Sequence, residues 1–350
     1  MNTEIIKICA EHLSDYENEL LSAAEIIKRG GLVVFPTETV YGLGANGLDA
    51  DAAGKIYTAK GRPSDNPLII HIAKPDDAEH YTYTDQLYYR LAERFMPGPL
   101  TVIMRAKDCV PLATRASLPT VAVRCPENKI ARRLIQLSGV PIAAPSANLS
   151  GSPSPTNARH VADDMLGRVD MIIDGGDCEF GLESTIVKIE DNGTLTLLRP
   201  GRITPDELSL IAPVKIASAV TDKLGEGETV LSPGMKYRHY APRAQLVLLD
   251  GDRESSADYI ANDGAESSAI ICYDEDEDFY KQVLSTATVY PFGEKLDMKA
   301  QAHSLFTLLR EIDKKNHSRI YAPLPERSGI GLALYNRMIR AAAHTIIKTK

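Results

Sequence analysis

Cysteine is scarce in this 350-residue sequence, and no two cysteines form a CxxC pair. The five thiols are an odd number spread along the chain: Cys9, Cys109, Cys125, Cys178 and Cys272. This spacing argues against a disulfide framework and against a zinc site built on paired cysteines. It predicts reduced thiols and a cytoplasmic protein.

Long apolar runs and a net positive charge are also missing. Apolar stretches such as residues 68–70 are far shorter than a membrane span. The first ten residues lack the basic segment and apolar core of a signal peptide, so we expect none. The net charge of −8 argues against a surface that binds nucleic acid or an anionic membrane.

Several catalytic motifs are absent as well. There is no GxSxG elbow, no HExxH pair and no cysteine–histidine metal spacing, which disfavours covalent hydrolysis and zinc chemistry. Residues 47–55 end in Gly-Lys, but six residues separate the two glycines, and Ile56 stands where a P-loop needs Ser or Thr. A nucleotide site would therefore have to use side-chain cations.

The apolar pattern predicts an α/β (α+β) protein with two domains. In the first half, strands alternate with helices and then follow each other directly, which is typical of a mixed sheet. From Gln245 a second alternation predicts a small three-layer α/β domain that ends in a helix at residues 332–347. We expect a catalytic domain at residues 12–205, a linker at 206–243 and a C-terminal domain at 244–350.

The stretch from residue 60 to residue 71 offers cations on a rigid connection. Lys60 and Arg62 stand two positions apart at the end of a predicted helix, and Gly61 with two prolines stiffens the chain there. Such a pair suits an anion with several oxygens, such as a triphosphate. The alternative is a helix end whose cations only complement the dipole. His71 closes an apolar strand, where a histidine is more often a core residue than a ligand.

Two polar loops follow buried strands, at residues 36–44 and 143–154. Their hydroxyls, small residues and amide or carboxylate groups suit a ligand that approaches the backbone. Each has a plainer alternative, a glycine-containing turn for the first and a serine-rich loop for the second. Arg124, residues 183–185 and Arg199 also stand at predicted strand ends. Polar groups gathered at strand ends are typical of an α/β active site.

Residues 232–243 form a local positive patch in an acidic sequence. Lys236, Arg238 and Arg243 lie there beside a histidine and two tyrosines. We predict that residues 233–242 form a lid over an anionic ligand, with a tyrosine available to stack on a base. The alternative is a linker that lies on an acidic surface.

Taken together, these stretches make the sequence resemble the threonylcarbamoyl-AMP synthase family in its two-domain form. The motifs occur in family order at residues 36–44, 60–68, 146–148 and 232–242. The resemblance covers nearly the whole chain, with the catalytic part at about residues 12–204. It implies a YrdC-like mixed twisted sheet with helices forming a concave pocket, plus a smaller Rossmann-like three-layer C-terminal domain.

The resemblance also implies an activity and its residues. Family members condense L-threonine, bicarbonate and ATP into threonylcarbamoyl-AMP and pyrophosphate. The KxR…SxN signature falls on Lys60, Arg62, Ser146 and Asn148, the expected catalytic residues. L-Threonine is expected to contact Thr39, His71, Arg124, Ser146 and Ser184. ATP is expected to contact Lys60, Arg62, Asn66, Thr120, Ala144, Ser154, Arg199 and Tyr237.

Partners and cofactors follow from the same resemblance. Mg²⁺ is expected to accompany ATP without a dedicated set of protein ligands. The product is expected to feed a separate tRNA threonylcarbamoyl transferase complex, without stable tRNA binding by this chain and without a membrane. One alternative function is a double-stranded RNA-binding module. Another is a carbamoyl-transfer accessory like the YrdC-like domains of hydrogenase-maturation proteins, although their acylphosphatase-like and zinc-finger segments are missing here.

Overall fold

The computed structural model of the protein describes residues 2–222, 240–264 and 267–349. Within these ranges the chain divides into two compact units. The first unit contains residues 2–150 and 154–220. The second contains residues 151–153, 221–222 and 240–349 without 265–266.

In the described part of the first unit, eleven strands form one mixed sheet. In chain order they are β1 (Glu4–Lys7), β2 (Val33–Phe35), β3 (Gly42–Asn46), β4 (Ile69–His71), β5 (Leu100–Arg105), β6 (Thr120–Arg124), β7 (Ile142–Ala143), β8 (Met171–Asp174), β9 (Thr185–Ile189), β10 (Leu195–Arg199) and β11 (Val214–Ile216). Across the sheet the order is β1-β8-β2-β3-β7-β4-β6-β5-β9-β10-β11. Parallel pairs such as β4 with β6 stand beside antiparallel pairs such as β5 with β6. The predicted mixed α/β class is therefore confirmed.

Helices of the first unit follow from caps and amphipathic spacing. They are α1 (Glu17–Lys28), α2 (Ala50–Lys60), α3 (Gln86–Phe95), α4 (Lys129–Ser138), α5 (Ala158–Met165) and α6 (Pro205–Ser209). The Asp49 side chain caps α2 by accepting hydrogen bonds from two backbone amides, and Gly61 ends it at a positive φ of 60°. The buried face of α1 packs with α4 and the inner strands, including Ile27, Phe35 and Leu134. Helix α2 packs against β3, which places Lys60 beside the sheet.

The second unit has a five-stranded parallel sheet in its described residues, with the order β14-β13-β15-β12-β16. Its strands are β12 (Gln245–Asp250), β13 (Ser268–Cys272), β14 (Thr288–Pro291), β15 (Arg319–Pro323) and β16 (Ile346–Lys348). Its helices are α7 (Arg253–Asp263), α8 (Glu277–Val283), α9 (Met298–Asp313) and α10 (Gly331–Ala341). None of the helices in the described ranges is long and apolar enough to cross a membrane.

The structure differs from the predicted elements at several places: strands β1, β3 and β11 and helix α6 were not predicted, and the last helix is shorter than predicted. The helix predicted at residues 332–347 ends at Ala341, because Ala343 and His344 adopt positive φ angles of 49° and 64°. The chain then forms β16 instead, parallel to β12. Strand β3 was not predicted, because its glycines favour a turn, yet it pairs antiparallel with β2.

Candidate active site

Lys60 joins the two halves of the predicted signature. As the last residue of α2, it is almost completely buried, and its Nζ donates to the carbonyl oxygens of Ser146 (2.5 Å) and Asn148 (2.6 Å). Its own carbonyl accepts from the Ser150 amide at 2.9 Å. The ammonium charge is thus fixed beneath the loop that carries the serine and the asparagine.

That loop is also fixed by internal bonds and by the first polar loop. Ser146 Oγ donates to Asn148 Oδ1 at 2.6 Å, and Asn148 Nδ2 donates to the Leu149 carbonyl at 2.7 Å. The Ala147 amide donates to the Tyr41 carbonyl at 2.8 Å. The polar loop at residues 36–44 therefore lies beside residues 146–148 of the second predicted ligand loop.

Arg62 and Asn66 hold the turn after α2. Arg62 Nη2 donates to the carbonyl oxygens of Asn66 and Pro67, at 3.2 and 3.1 Å. The Tyr57 hydroxyl donates to the same Asn66 carbonyl at 3.2 Å. Within the described residues, Oδ1 of the buried Asn66 makes no hydrogen bond. This side chain keeps an acceptor for a ligand.

His71 and Arg124 are neighbours at the ends of β4 and β6, where they stand opposite each other in the sheet. His71 Nδ1 lies 3.3 Å from the Ile142 carbonyl oxygen, which fixes the proton on Nδ1 and leaves Nε2 as an acceptor. Burial lowers the pKa of His71 to about 3, with a further contribution from the Arg124 charge. The imidazole is therefore neutral at physiological pH.

Arg124 forms a buried ion pair with Glu38. Its Nη2 donates to Glu38 Oε1 at 2.6 Å, and the two side chains are only 5% and 4% exposed. Thr37 and Thr39 flank the glutamate, and their hydroxyl oxygens lie 2.8 Å apart. The Phe180 amide donates to the Glu38 carbonyl at 2.9 Å, which fixes the loop backbone.

Further polar side chains, those of Thr101, Ser184 and Arg199, follow Arg124 along the same sheet. Thr101 on β5 stands opposite Arg124, and its Oγ1 lies 2.8 Å from Ser184 Oγ. Arg199 at the end of β10 donates from Nε to the Ser184 carbonyl (3.0 Å) and from Nη2 to Ser184 Oγ (3.1 Å). Glu38 is therefore linked to Arg199 through Arg124, Thr101 and Ser184, by hydrogen bonds and by the pairing of β5 with β6.

Two predicted ATP contacts, Ser154 and Ala144, are also buried. Ser154 Oγ donates to Glu183 Oε1 at 2.5 Å. Glu183 is the residue that directly precedes Ser184 in the sequence. The Ala144 amide donates to the Ile69 carbonyl at 2.9 Å, which places it where β7 meets the start of β4. The methyl side chain at that position adds little bulk.

Charge balance favours an anion. The buried charged side chains in the described part of the first unit include four cations, namely Lys60, Arg62, Arg124 and Arg199. The buried carboxylates there are only Glu38 and Glu183. Among these buried side chains the cations outnumber the carboxylates by two, a balance that agrees with a phosphate-bearing ligand.

Two predicted ATP contacts are not placed with this group. Thr120 lies at the start of β6, at the opposite end of that strand from Arg124, and is half-buried. Tyr237 lies outside the described residues, as does most of the predicted lid at 233–242. These assignments stay predictions.

Three residues that the structure places in the group were not among the predicted site residues: Glu38, Thr101 and Glu183. Glu38 could have been noticed as an acidic residue in the loop after a buried strand. Glu183 could have been noticed as an acidic residue at the start of a predicted strand. Thr101 gave no such signal, because a threonine inside a strand is ordinary. Among the side chains that the structure describes, no cluster of three or more His, Cys, Asp or Glu could hold a metal ion.

Two family models match the chain. One, described as "Telomere recombination" (Sua5, YciO and YrdC), matches residues 25–201. The other, described as "Threonylcarbamoyl-AMP synthase, C-terminal domain", matches residues 203–343. The boundary between the two matches lies just after Arg199, at residues 201–203.

Relatives are similar over nearly their full length. A threonylcarbamoyl-AMP synthase of Pyrococcus abyssi is 42% identical over 347 residues, covering 93% of this chain and 94% of that protein. One of Bacillus subtilis is 40% identical over 343 residues, covering 97% of each. The solved structure of P. abyssi Sua5 with L-threonine is 39% identical, with a TM-score of 0.87 and complete coverage of both chains.

The mixed sheet, the buried cations at its strand ends and the parallel second sheet define a YrdC-like protein with an additional α/β unit. Within this class, the second family model and the full-length relatives identify the family. The chain belongs to the threonylcarbamoyl-AMP synthase family, in its two-domain form.

Proposed function

We propose that this chain condenses L-threonine, bicarbonate and ATP into threonylcarbamoyl-AMP and pyrophosphate. The observation that carries the proposal is the full-length similarity to relatives named threonylcarbamoyl-AMP synthase. The geometry supports it, because Lys60 joins the KxR and SxN halves of the signature in one place.

The chemistry has two steps. The threonine amine and bicarbonate form an N–C bond with loss of water, which gives N-carboxythreonine. Its carboxylate oxygen then attacks the α-phosphorus of ATP in line, while the bond from that phosphorus to the pyrophosphate oxygen breaks. The protein forms no covalent bond in this scheme, so positioning and charge stabilisation supply the catalysis.

Three anionic groups, the threonine carboxylate, the new carbamate and the triphosphate, would share one site. We assign Lys60, Arg62 and Arg199 to the triphosphate side, and Arg124 to the threonine carboxylate. Their burial strengthens each attraction, because little water screens it. The neutral His71 offers Nε2 as an acceptor for the threonine hydroxyl.

The remaining assignments complete the two binding regions. Thr39, Ser146 and Ser184 are proposed to contact threonine, with Asn148 fixing Ser146. Asn66, Thr120, Ala144, Ser154 and Tyr237 are proposed to contact ATP. Mg²⁺ would be bound by phosphate oxygens of ATP and would neutralise part of the triphosphate charge.

We further propose that the protein acts in the cytoplasm and supplies its product to a separate transferase complex that modifies tRNA. All five cysteines are free thiols, as a reducing compartment requires. No observation on the described residues favours the alternative of a double-stranded RNA-binding module. A gel-shift titration across salt would test that alternative directly.

Pyrophosphate release tests the function. With ATP and Mg²⁺ present, we expect release that requires both L-threonine and bicarbonate, the latter removed by degassing in the control. Release without either substrate, or no release with both, would overturn the proposal. The double variant Lys60→Ala/Arg62→Ala is expected to lose the activity, whereas Lys55→Ala, an exposed lysine on the same helix, keeps it.

A further inference from the structure

The second unit contains a cavity of about 360 Å³ that has no part in the proposed function. Its volume lies in the range of small-molecule pockets, about 300–1,000 Å³. The cavity lies at the carboxyl ends of three parallel strands that stand side by side, β13, β15 and β12. Residues at these ends form part of its lining, namely Leu249, Ile271, Cys272, Ala322 and Pro323. Helices α7 and α8 contribute further lining residues.

The strand connections identify the same place as a switch point of the second sheet. From β13 the chain passes through α8 to β14, at one edge of the sheet. From the neighbouring β15 it passes through α10 to β16, at the other edge. Connections that leave two neighbouring strands in opposite directions open a crevice between them, and open α/β sheets bind their ligands there. The cavity and the topology therefore point to one site by separate arguments.

The inner wall of the cavity is mostly apolar and aromatic. Leu249, Ile260, Ile270 and Tyr280 line it, and all four are buried. The buried Ser256 also lines the cavity and forms a side-chain hydrogen bond with Tyr280. Such a wall suits a flat ring with a few polar atoms at its edge.

The rim of the cavity is charged and open to solvent. Arg253, in the first turn of α7, donates to Oδ1 of Asp276 at 3.3 Å, and the two side chains are 44% and 20% exposed. Among the described residues, Asp276 Oδ2 makes no hydrogen bond. The carboxylate therefore keeps one oxygen that can accept a hydrogen bond from a ligand.

A phosphate group is disfavoured at this rim. In α/β proteins a phosphate commonly binds the N-terminus of a helix that follows a glycine-rich turn. Here the Asp252 carboxylate caps α7, and Glu254 follows in the first turn. The lining carboxylates, with Asp276 the third, outnumber the lining cations Arg253 and Lys295. An uncharged ligand that donates hydrogen bonds suits this balance better than an anion.

We propose that the second unit binds a nucleoside in this cavity, with its base against the apolar wall and its ribose hydroxyls hydrogen-bonded to Asp276. A nucleoside combines a flat ring, no net charge and a vicinal diol. Both hydroxyls of the diol can donate to a carboxylate, which is how α/β proteins commonly bind a ribose. The inference is independent of the proposed function, because its residues all lie in the second unit.

The competing explanation is a water-filled crevice with an ion pair at its rim. No nucleoside would then bind there, and neutralising Asp276 would affect no ligand. The two explanations differ in whether binding occurs and in whether it depends on the ribose hydroxyls.

The experiment titrates the full chain with adenosine, guanosine, cytidine and uridine by calorimetry, first alone and then with L-threonine and a non-hydrolysable ATP analogue at saturating concentration. We expect one of the four to bind once per chain in the saturated protein, with a dissociation constant below about 1 mM. Its 2′,3′-dideoxy form, which lacks both hydroxyls, is expected to bind about tenfold more weakly. No binding in the saturated protein would overturn the inference, because a phosphorylated analogue should not occupy this cavity.

Substitutions then locate the binding. Asp276→Asn keeps the shape of the side chain and is expected to weaken the nucleoside about tenfold but its dideoxy form by less than about threefold. Asp278→Asn is the matched control, because Asp278 is an exposed residue of α8 that does not line the cavity. We expect that control to change nucleoside affinity less than about twofold. Urea unfolding reports whether each variant is folded.

Equal weakening by the two substitutions, or none by Asp276→Asn, would overturn the assignment. Equal losses for the nucleoside and its dideoxy form in Asp276→Asn would also overturn it, since the carboxylate would then not bind the ribose. Pyrophosphate release enters none of these outcomes, so failure of the inference and failure of the proposed function are observed separately.

Discussion

The ammonium of Lys60 lies 2.5 Å from the carbonyl oxygen of Ser146, although 86 residues separate the two in the chain. The same ammonium donates to the Asn148 carbonyl at 2.6 Å. A lysine that sequence reasoning assigns to a triphosphate thus also fixes the backbone of the serine loop. Its positive charge and its two hydrogen bonds to the loop would therefore be lost together on substitution.

Lys60→Met is therefore expected to damage both stability and turnover. One buried and one partly buried carbonyl lose their donor, so the free energy of unfolding should fall by about 2–4 kcal/mol. The catalytic efficiency with ATP should fall about 10²- to 10³-fold, as for the loss of one charge-stabilising group. Denaturant unfolding and pyrophosphate release measure the two effects.

Lys55→Met is the matched control for this change. Lys55 lies on the same helix and also donates to a carbonyl, that of Gly30 at 2.6 Å, but it is exposed. We expect it to change catalytic efficiency less than about twofold, as for a surface substitution. A Lys60→Met enzyme as active as Lys55→Met would show that the contact is not needed.

Arg199→Lys is expected to impair threonine use, although the charge is kept. The guanidinium holds Ser184 through two atoms, donating to its carbonyl from Nε and to its hydroxyl from Nη2. A lysine ammonium cannot reproduce this planar fork. We expect the catalytic efficiency with L-threonine to fall about tenfold, as for the loss of one charge-assisted hydrogen bond.

Arg202→Lys provides the comparison for Arg199. Arg202 lies three residues further on, is half-buried, makes a long ion pair of 3.9 Å with Glu207 and lies over the Phe180 ring, with no contact to Ser184 among the hydrogen bonds of the described residues. In steady-state kinetics with varied L-threonine, the catalytic efficiency of Arg202→Lys should differ little from that of the wild-type chain. Equal effects of the two substitutions would mean that the Ser184 contacts do not matter for threonine use.

Removal of Mg²⁺ should stop turnover without affecting threonine binding. The described residues hold no cluster of acidic or histidine side chains able to bind a metal, so we expect the ion to arrive with ATP. EDTA is then expected to abolish pyrophosphate release while L-threonine affinity, measured by calorimetry without ATP, stays the same. A loss of threonine affinity in EDTA would indicate a metal held by the protein.

The local parts of this fold could be predicted from the sequence. Asp49 and Gly61 are standard start and stop signals, and the structure uses them as the cap and the left-handed end of α2. Buried strands such as β4 and β8 were predictable from short apolar runs. These features depend on neighbours in the chain, which a sequence displays directly.

The partners inside the site could not be predicted in this way. Glu38 meets Arg124 across 86 residues, and Thr101 meets Ser184 across 83. Such contacts depend on strand order, and β4, β6, β5 and β9 become neighbours only in the folded sheet. The helix predicted at 332–347 was wrong for a related reason, since pairing of Ile346–Lys348 with β12 outweighed helical periodicity.

The buried imidazole of His71 gives a prediction for pH. Its pKa is lowered from 6.5 to about 3, first by burial and then by the Arg124 charge. Between these two values the unfolded chain binds a proton that the native chain does not, so stability falls as the pH falls. From pH 7.5 to pH 5 this site should remove about 2 kcal/mol from the free energy of unfolding.

His71→Gln removes the titrating group and should remove that pH dependence. The stability difference between the wild-type chain and the variant is then expected to change by about 2 kcal/mol between the two pH values, in the direction that disfavours the wild type in acid. Urea unfolding at both pH values measures it, with the exposed His12→Gln as the matched control. A constant difference for His71→Gln would mean that the imidazole takes up a proton in the native state, and neutral His71 could not then serve as an acceptor for the threonine hydroxyl.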